Sequence, residues 1–483
     1  MSEAVPVITP ADVLVTVVRR QLRLLPLVGL MFFTVSGGAY GLEDMISLSG
    51  PGMAILLLIV TPIIWSVPAA LMVAELGTAI PIEGGFYQWV KAGLGRFWGY
   101  QEGFWSWTTT WVDMAIYPVL FADYLSETYV PKAAAGDTVF LDLGFVQFDL
   151  HWVVAIAVIW IFTYVNIRGA AVVGDSSIVF MFIILVPFVI MVLIGIPKLF
   201  TEGINPVQPF LANGETAASA FGAGLWICMW NYLGWDGLST IAGEVHNPRR
   251  TFPLALVVSI PLITLCYVLP VLAGMAGGTD WQAWTAGYFP VVAGNLAGEW
   301  LQLLMTIGGL ISAVGLFSAL LLSVSRIPYV VARDGWLPAF MTREHHRYGT
   351  PWVSIVVCSA IYSIFTLGPF QSLVVVDVFI YSLALLLEFA ALIALRRKQP
   401  DMHRPFKIPG GWPVIFVITL LPTLIVLFAV WQNVQDSGIS SMYLSVGAAL
   451  LGPLSYPFAK RFIKRDQPTE PVVVDDVVIW SDT

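Results

Sequence analysis

The feature that most constrains this chain is the recurrence, almost from end to end, of apolar runs as long as a bilayer is thick. A helix needs roughly 20 apolar residues to cross the hydrocarbon core, and runs of that kind fill most of the 483 residues. Only 11% of the residues are charged, whereas soluble domains carry about 25%. No polar stretch is long enough to form a soluble domain. In lipid every backbone group must be satisfied within its own segment, so the expected class is an all-α membrane protein.

Reading the runs between polar or Pro/Gly breaks gives twelve transmembrane helices. They cover about 25–48, 51–78, 97–126, 151–168, 174–196, 217–243, 252–276, 295–325, 351–369, 371–395, 412–433 and 440–459. The first run opens near Leu24 after a polar start and lacks a small-residue cleavage site, so it reads as a span and not as a signal peptide. The positive-inside rule tests the count. With a cytoplasmic N-terminus, all of the 23 Lys and Arg fall in inner segments except Lys132 and Lys198. A miscounted span would invert every later loop and destroy that asymmetry. Both termini are therefore expected inside, in a plasma or inner membrane.

The rest of the composition excludes more than it proposes. Cys228, Cys266 and Cys358 lie in separate runs, giving neither a metal cluster nor a disulfide framework. His151, His246, His345, His346 and His403 fall in loops or at span edges, without ligand spacing. No cofactor, no metal, no nucleic-acid partner and no enzymatic constellation is expected, and no filter-loop repeat suggests a channel.

Two spans are interrupted near mid-membrane. The first holds Val35-Ser36-Gly37-Gly38-Ala39-Tyr40-Gly41, and the sixth holds Trp230-Asn231-Tyr232-Leu233-Gly234-Trp235-Asp236-Gly237. Packing glycines are common in membrane helices, but polar groups at that depth imply buried or cavity-lining backbone. Spans one and six hold corresponding places in two five-helix halves, which an odd helix number makes inverted. Interruptions at matching places in inverted repeats point to a transport site. The halves are expected at 24–196 and 217–396. A segment 1–23 precedes them, two further helices at 412–459 follow, and the tail is 460–483. Free N–H groups near Gly38 and Ala39 suit a carboxylate; free carbonyls near Asn231 suit an ammonium group.

These residues carry a family resemblance. Ser36-Gly37-Gly38, Ala74-Glu75-Leu76-Gly77-Thr78 with Pro81 and Gly84-Gly85, and Gly243-Glu244-Val245-His246-Asn247-Pro248 resemble the amino acid–polyamine–organocation (APC) superfamily over nearly the whole chain. Arg347-Tyr348-Gly349-Thr350-Pro351 and Arg404-Pro405-Phe406-Lys407-Ile408-Pro409 extend the likeness. Gly41-Leu42-Glu43-Asp44, Tyr117-Pro118-Val119-Leu120-Phe121, Asp123-Tyr124, Trp235-Asp236 and Leu387-Glu388-Phe389 look most like the polyamine-uptake branch and bacterial permeases near it. The resemblance implies a five-plus-five inverted repeat of the LeuT-like kind, alternating access, and substrate held between spans one, three, six, eight and ten. Some proton-coupled relatives carry a lysine in span five; the run Ile178–Ile183 has none.

No Lys or Arg lies within a span, whereas several acids do. Intramembrane carboxylates face a cavity, pair, or titrate. Asp113, Asp236, Glu43 and Asp44 form the preferred set, for the substrate and for a coupling proton. Glu75 reads as part of an inner gate or loop, Asp175 as a cap, and Glu388 as either a helix-to-helix hydrogen bond or a site residue; Glu102 and Asp377 also fall in or beside apolar runs. The expected substrate site comprises Ser36, Gly37, Gly38, Tyr40, Glu43, Asp44, Asp113, Trp230, Asn231, Tyr232, Trp235, Asp236 and Tyr381. Acids and aromatics without bases favour a cation such as a polyamine through charge and cation–π contact. A neutral or zwitterionic amino acid stays open as the alternative, a non-transporting receptor as a remote one, and a homo-oligomer is left open.

Overall fold

The computed structural model describes residues 23–81, 85–129, 139–142, 147–168, 177–240, 245–278, 280–333, 335–461, 470–474 and 477–481. Gly84, Asp175, Gly243, Glu244, residues 1–22 and half of 460–483 lie outside them.

Helices dominate. In chain order they are α1 (Leu24–Val35), α2 (Glu43–Ser49), α3 (Pro51–Ala79), α4 (Gly85–Leu94), α5 (Arg96–Tyr129), α6 (Leu150–Ile167), α7 (Ser177–Glu202) and α8 (Ala217–Asn231). After a 3-10 turn at Trp235–Thr240 come α9 (Pro248–Gly274), α10 (Phe289–Ala297), α11 (Glu299–Val324), α12 (Arg326–Arg333), α13 (Trp352–Phe365), α14 (Phe370–Lys398), α15 (Gly411–Ser437) and α16 (Tyr443–Ala459). Two short antiparallel hairpins, Leu141–Asp142 with Gln147–Phe148 and Glu470–Val474 with Val477–Ser481, are the strands among the described residues.

Each of the twelve stretches expected to span holds a helix, or two helices separated by a break. Among the described residues, seven helices are long and apolar enough by themselves to cross a membrane. The first and sixth stretches contain no such helix because each is interrupted: α1 stops at Val35 and α2 starts at Glu43, while α8 stops at Asn231. Three short helices, α4, α10 and α12, were not expected, because a piece of about ten residues is too brief for an unambiguous period.

The surface is apolar where a soluble protein would be polar. Ile63 on α3, Ile161 on α6, Leu193 on α7, Val257 on α9 and Leu427 on α15 are all well exposed, forming larger apolar faces than water tolerates. The interior carries the polar groups. Thr163 Oγ1 donates to Ser359 Oγ at 2.6 Å, and Asn166 Nδ2 to Ser318 Oγ at 3.1 Å, linking α6 to α13 and α11 as small polar residues do between membrane helices.

Local breaks follow from sequence. Pro62 has no N–H, so the carbonyl of Leu58 loses its helical partner, and a π-helical turn runs over Pro62–Ser66. Asp149 caps α6 by accepting from Trp152 N at 2.8 Å, and Thr216 caps α8 by accepting from Ser219 N at 3.2 Å. At the centre, α5 packs against α14, α11 and α4, placing one long face of α5 opposite one long face of α14.

Candidate functional site

The two helix breaks meet across a cavity of about 740 Å³. In the first break the chain turns through Gly38 and Gly41, at φ 90° and 84°, conformations that strain any residue with a Cβ. Ser36 Oγ accepts from Gly38 N at 3.3 Å, and Ser312 Oγ of α11 donates to the Gly37 carbonyl at 2.7 Å. The amides of Gly37 and Ala39 have no hydrogen-bond partner among the described residues.

In the second break Gly234 sits at φ 92°. The Tyr267 hydroxyl donates to the Asn231 carbonyl at 2.8 Å and also interacts with the Ser36 side chain. One tyrosine of α9 therefore ties the two breaks together. Asp236 opens the 3-10 turn and accepts from the Tyr381 hydroxyl of α14 at 2.8 Å.

Of the residues expected in the site, Gly37, Gly38, Tyr40, Asp113, Trp230, Asn231, Asp236 and Tyr381 line the cavity. Asp113 accepts from the Tyr117 hydroxyl at 3.2 Å and from Trp230 Nε1 at 3.3 Å, both at Oδ1. Ser36, Glu43, Asp44, Tyr232 and Trp235 are outside the lining, each for a physical reason. Glu43 is taken up by structure: it accepts from Tyr124 OH at 2.5 Å, Gly41 N at 2.8 Å and Phe289 N at 3.4 Å. Asp44 accepts from Ala286 N at 3.0 Å. Ser36 turns its oxygen onto its own break. The Tyr232 hydroxyl donates to the Leu58 carbonyl at 2.8 Å, filling the vacancy that Pro62 leaves. Trp235 is buried within the hydrophobic core.

Two acids outside the preferred set line the cavity. Asp377 and Glu388 both project from α14, with Tyr381, Ala384 and Leu385 between them. Neither carboxylate oxygen of Asp377 has a hydrogen-bond partner among the described residues, nor does Glu388 Oε2. Their signal was in the sequence: positions 377, 381, 384, 385 and 388 follow a helical stripe, which single-residue inspection does not register. Among the described residues the lining contains four acids and one Lys or Arg, Arg326 at the start of α12.

At Tyr40 the cavity lining meets a cluster of packed aromatic rings. Tyr40 meets Tyr124 edge-on at 5.2 Å and Phe188 at 4.5 Å between ring centroids, and the Tyr40 hydroxyl donates to the Met305 carbonyl at 3.1 Å. At the other end the lining continues through Tyr87, Arg326, Ile327 and Val331.

Near that end, Glu75 of α3 is fully buried and holds two arginines. Arg396 reaches it through Nε at 2.7 Å and through Nη2, Arg404 Nε lies at 3.2 Å, and the Ile408 amide donates at 2.8 Å. Arg404 also donates to the carbonyls of Leu395, Gln399, Pro400 and Met402. The cluster fastens the 399–410 connection to the ends of α3 and α14.

Residues 27–451 match the amino acid permease family. The chain belongs to that family. Among the permease's relatives, an Arabidopsis thaliana protein named "probable polyamine transporter" is 35% identical over 448 residues, 92% of this chain and 86% of its own length. The polyamine transporter PUT1 of Oryza sativa subsp. japonica is 34% identical over 447 residues, covering 92% of this chain and 79% of the relative. The branched-chain amino acid permease BcaP of Bacillus subtilis (strain 168) is similar at 26% over 415 residues, 79% and 84% of the two chains. This permease is thus an integral membrane protein whose relatives are transporters and not enzymes.

Proposed function

We propose that this permease is a secondary active transporter of small organic cations, polyamines foremost, that works by alternating access. The observation that carries the reading is the cavity between the two helix breaks, lined by Asp113, Asp236, Asp377 and Glu388 against Arg326 alone among the described Lys and Arg. Carboxylates without basic partners at this depth suit an ammonium substrate, and one of them can hold a coupling proton between substrate cycles. Asp113 and Asp236 are the substrate and proton residues of this reading; Trp230 and Tyr381 supply aromatic faces beside them. Glu43 and Asp44 hold the first break in shape.

The architecture proposed is twelve spans in a five-plus-five inverted repeat, α1/α2 to α7 and α8 to α14, followed by α15 and α16. Two features support it. The breaks fall at the first helix of each half, and a short helix follows the second span of each half, α4 in one and α10 in the other. Charge distribution supports cytoplasmic termini and an inner or plasma membrane. In that orientation the cavity runs toward the cytoplasm, past Arg326, and Tyr40, Tyr124 and Phe188 close the outer side.

A zwitterionic amino acid is the second reading, favoured by the Gly37 and Ala39 amides of the first break, which have no hydrogen-bond partner among the described residues and can donate to a carboxylate. Uptake into proteoliposomes with an inward proton gradient separates the two. Putrescine, spermidine, arginine and a neutral amino acid are compared with and without a protonophore. Protonophore-sensitive polyamine accumulation is expected; accumulation of the neutral amino acid alone would move the cargo to the second reading.

A further inference from the structure

The acids of α5 and α14 are arranged in two matched levels. On α5, Glu102 and Asp113 are eleven residues apart; on α14, so are Asp377 and Glu388. Both intervals correspond to about 16 Å of helix axis at ~1.5 Å per residue. Asp113, Asp377 and Glu388 line the cavity, while Glu102 is outside the lining and meets it through Ser106; Asp377 is within electrostatic reach of Asp113, and Glu388 of Glu102. Asp236 interacts with acids of both levels and stands between them. Glu102 is fully buried and Glu388 is 2% exposed. Ser106, itself in the cavity lining, donates to Glu102 Oε1 at 3.0 Å, while Oε2 of Glu102 and Oε2 of Glu388 have no hydrogen-bond partner among the described residues. Structural carboxylates elsewhere in the molecule are used up, as Glu43 and Glu75 are; these are not.

We propose that Glu388, backed by Glu102 through Ser106, forms a second cation subsite, one that receives the far ammonium group of an elongated linear polyamine whose near end is held by Asp113 and Asp377. The assignment rests on reading the cavity as the site of an organic cation. An extended chain advances about 1.2 Å per bond, so roughly thirteen bonds join the two levels, the end-to-end length of a tetraamine such as spermine. A four-carbon diamine reaches only about 6 Å and engages one level together with Asp236. Two spaced pairs with a single acid between them therefore select for the length of the chain as well as its charge. They also disfavour a monocation, which leaves one pair desolvated and uncompensated.

The test is equilibrium binding of radiolabelled spermine and putrescine to the purified full-length protein. Glu102→Gln, Glu388→Gln and the double substitution are compared with the parent protein. The expected result is that the double substitution weakens spermine at least tenfold more than putrescine, with each single change intermediate. Equal weakening of both amines, or of neither, while the parent binds both, would overturn the second subsite and leave the cationic site standing. A parent protein that binds neither amine would overturn the cationic reading and the subsite together. Retained putrescine binding by a variant reports that it is folded.

Discussion

Replacing Glu75 by Gln removes the one negative charge in a cluster that otherwise contains two buried guanidinium groups. The side chains of Arg396 and Arg404 are 8% and 4% exposed beside a fully buried Glu75. Glutamine is nearly isosteric but keeps one acceptor oxygen, and its amide hydrogens face donors: the Arg396 guanidinium, the Arg404 guanidinium or the Ile408 N–H. Removing one partner of a buried ion pair costs about 3–5 kcal/mol. Arg404 retains four backbone carbonyls, which puts the expectation near the lower end, about 3 kcal/mol. At ~2.1 cal/mol/K of unfolding entropy per residue, a chain of this length melting as one unit loses roughly 3 °C of Tm, and a smaller cooperative unit loses more. Fluorescence-monitored melting in detergent reads this directly. Arg396→Gln and the double variant complete a cycle, in which partners of one network are strongly non-additive. A Glu75→Gln protein that melts within about a degree of its parent, or a cycle whose effects simply add, would refute a shared buried network.

Four further outcomes follow from particular positions. Tyr232→Phe orphans the Leu58 carbonyl and is expected to cost about 1–3 kcal/mol; melting falls while the substrate KM stays put, and a raised KM with unchanged melting would return Tyr232 to the site. Gly41→Ala forces a Cβ into a φ of 84° and to 3.0 Å from Trp230 Cζ3, a strain of roughly 1–2 kcal/mol that should lower both uptake and melting temperature. Gly29→Ala, with nothing within 4 Å of the new atom, should lower neither. Asp236→Asn should reduce polyamine uptake by at least about tenfold, equivalent to ~1.4 kcal/mol, and neutral amino acid uptake much less; equal small effects on both would remove Asp236 from the substrate's path.

Much of the fold and part of the site can be read from the sequence. Apolar run length and Lys/Arg placement lead to twelve candidate spans, because both quantities are local and the bilayer filters them strictly. The breaks are legible for the same reason: Gly38 and Gly234 mark backbone that cannot continue a helix, and Asn231 and Asp236 mark polar groups that lipid does not tolerate. The permease resemblance, carried by motifs such as Ser36-Gly37-Gly38, agrees with the family match.

Which polar groups at the breaks are available is a different matter, settled by partners far away in the chain. Glu43 and Asp113 look equally eligible in one dimension. Tertiary packing brings Tyr124 and Phe289 to Glu43, and turns Asp113 toward the cavity. Tyr232 looks like a site residue until Pro62, in another helix, is seen to have freed the carbonyl that it fills. Asp377 and Glu388 look like scattered acids until α14 is laid against α5. The sequence alone marks which segments are apolar enough to cross and where their helices break, because those depend on each segment's own free energy in lipid. Only the tertiary structure decides which carboxylates stay unpaired, because a carboxylate's availability depends on the donors that folding brings to it or withholds.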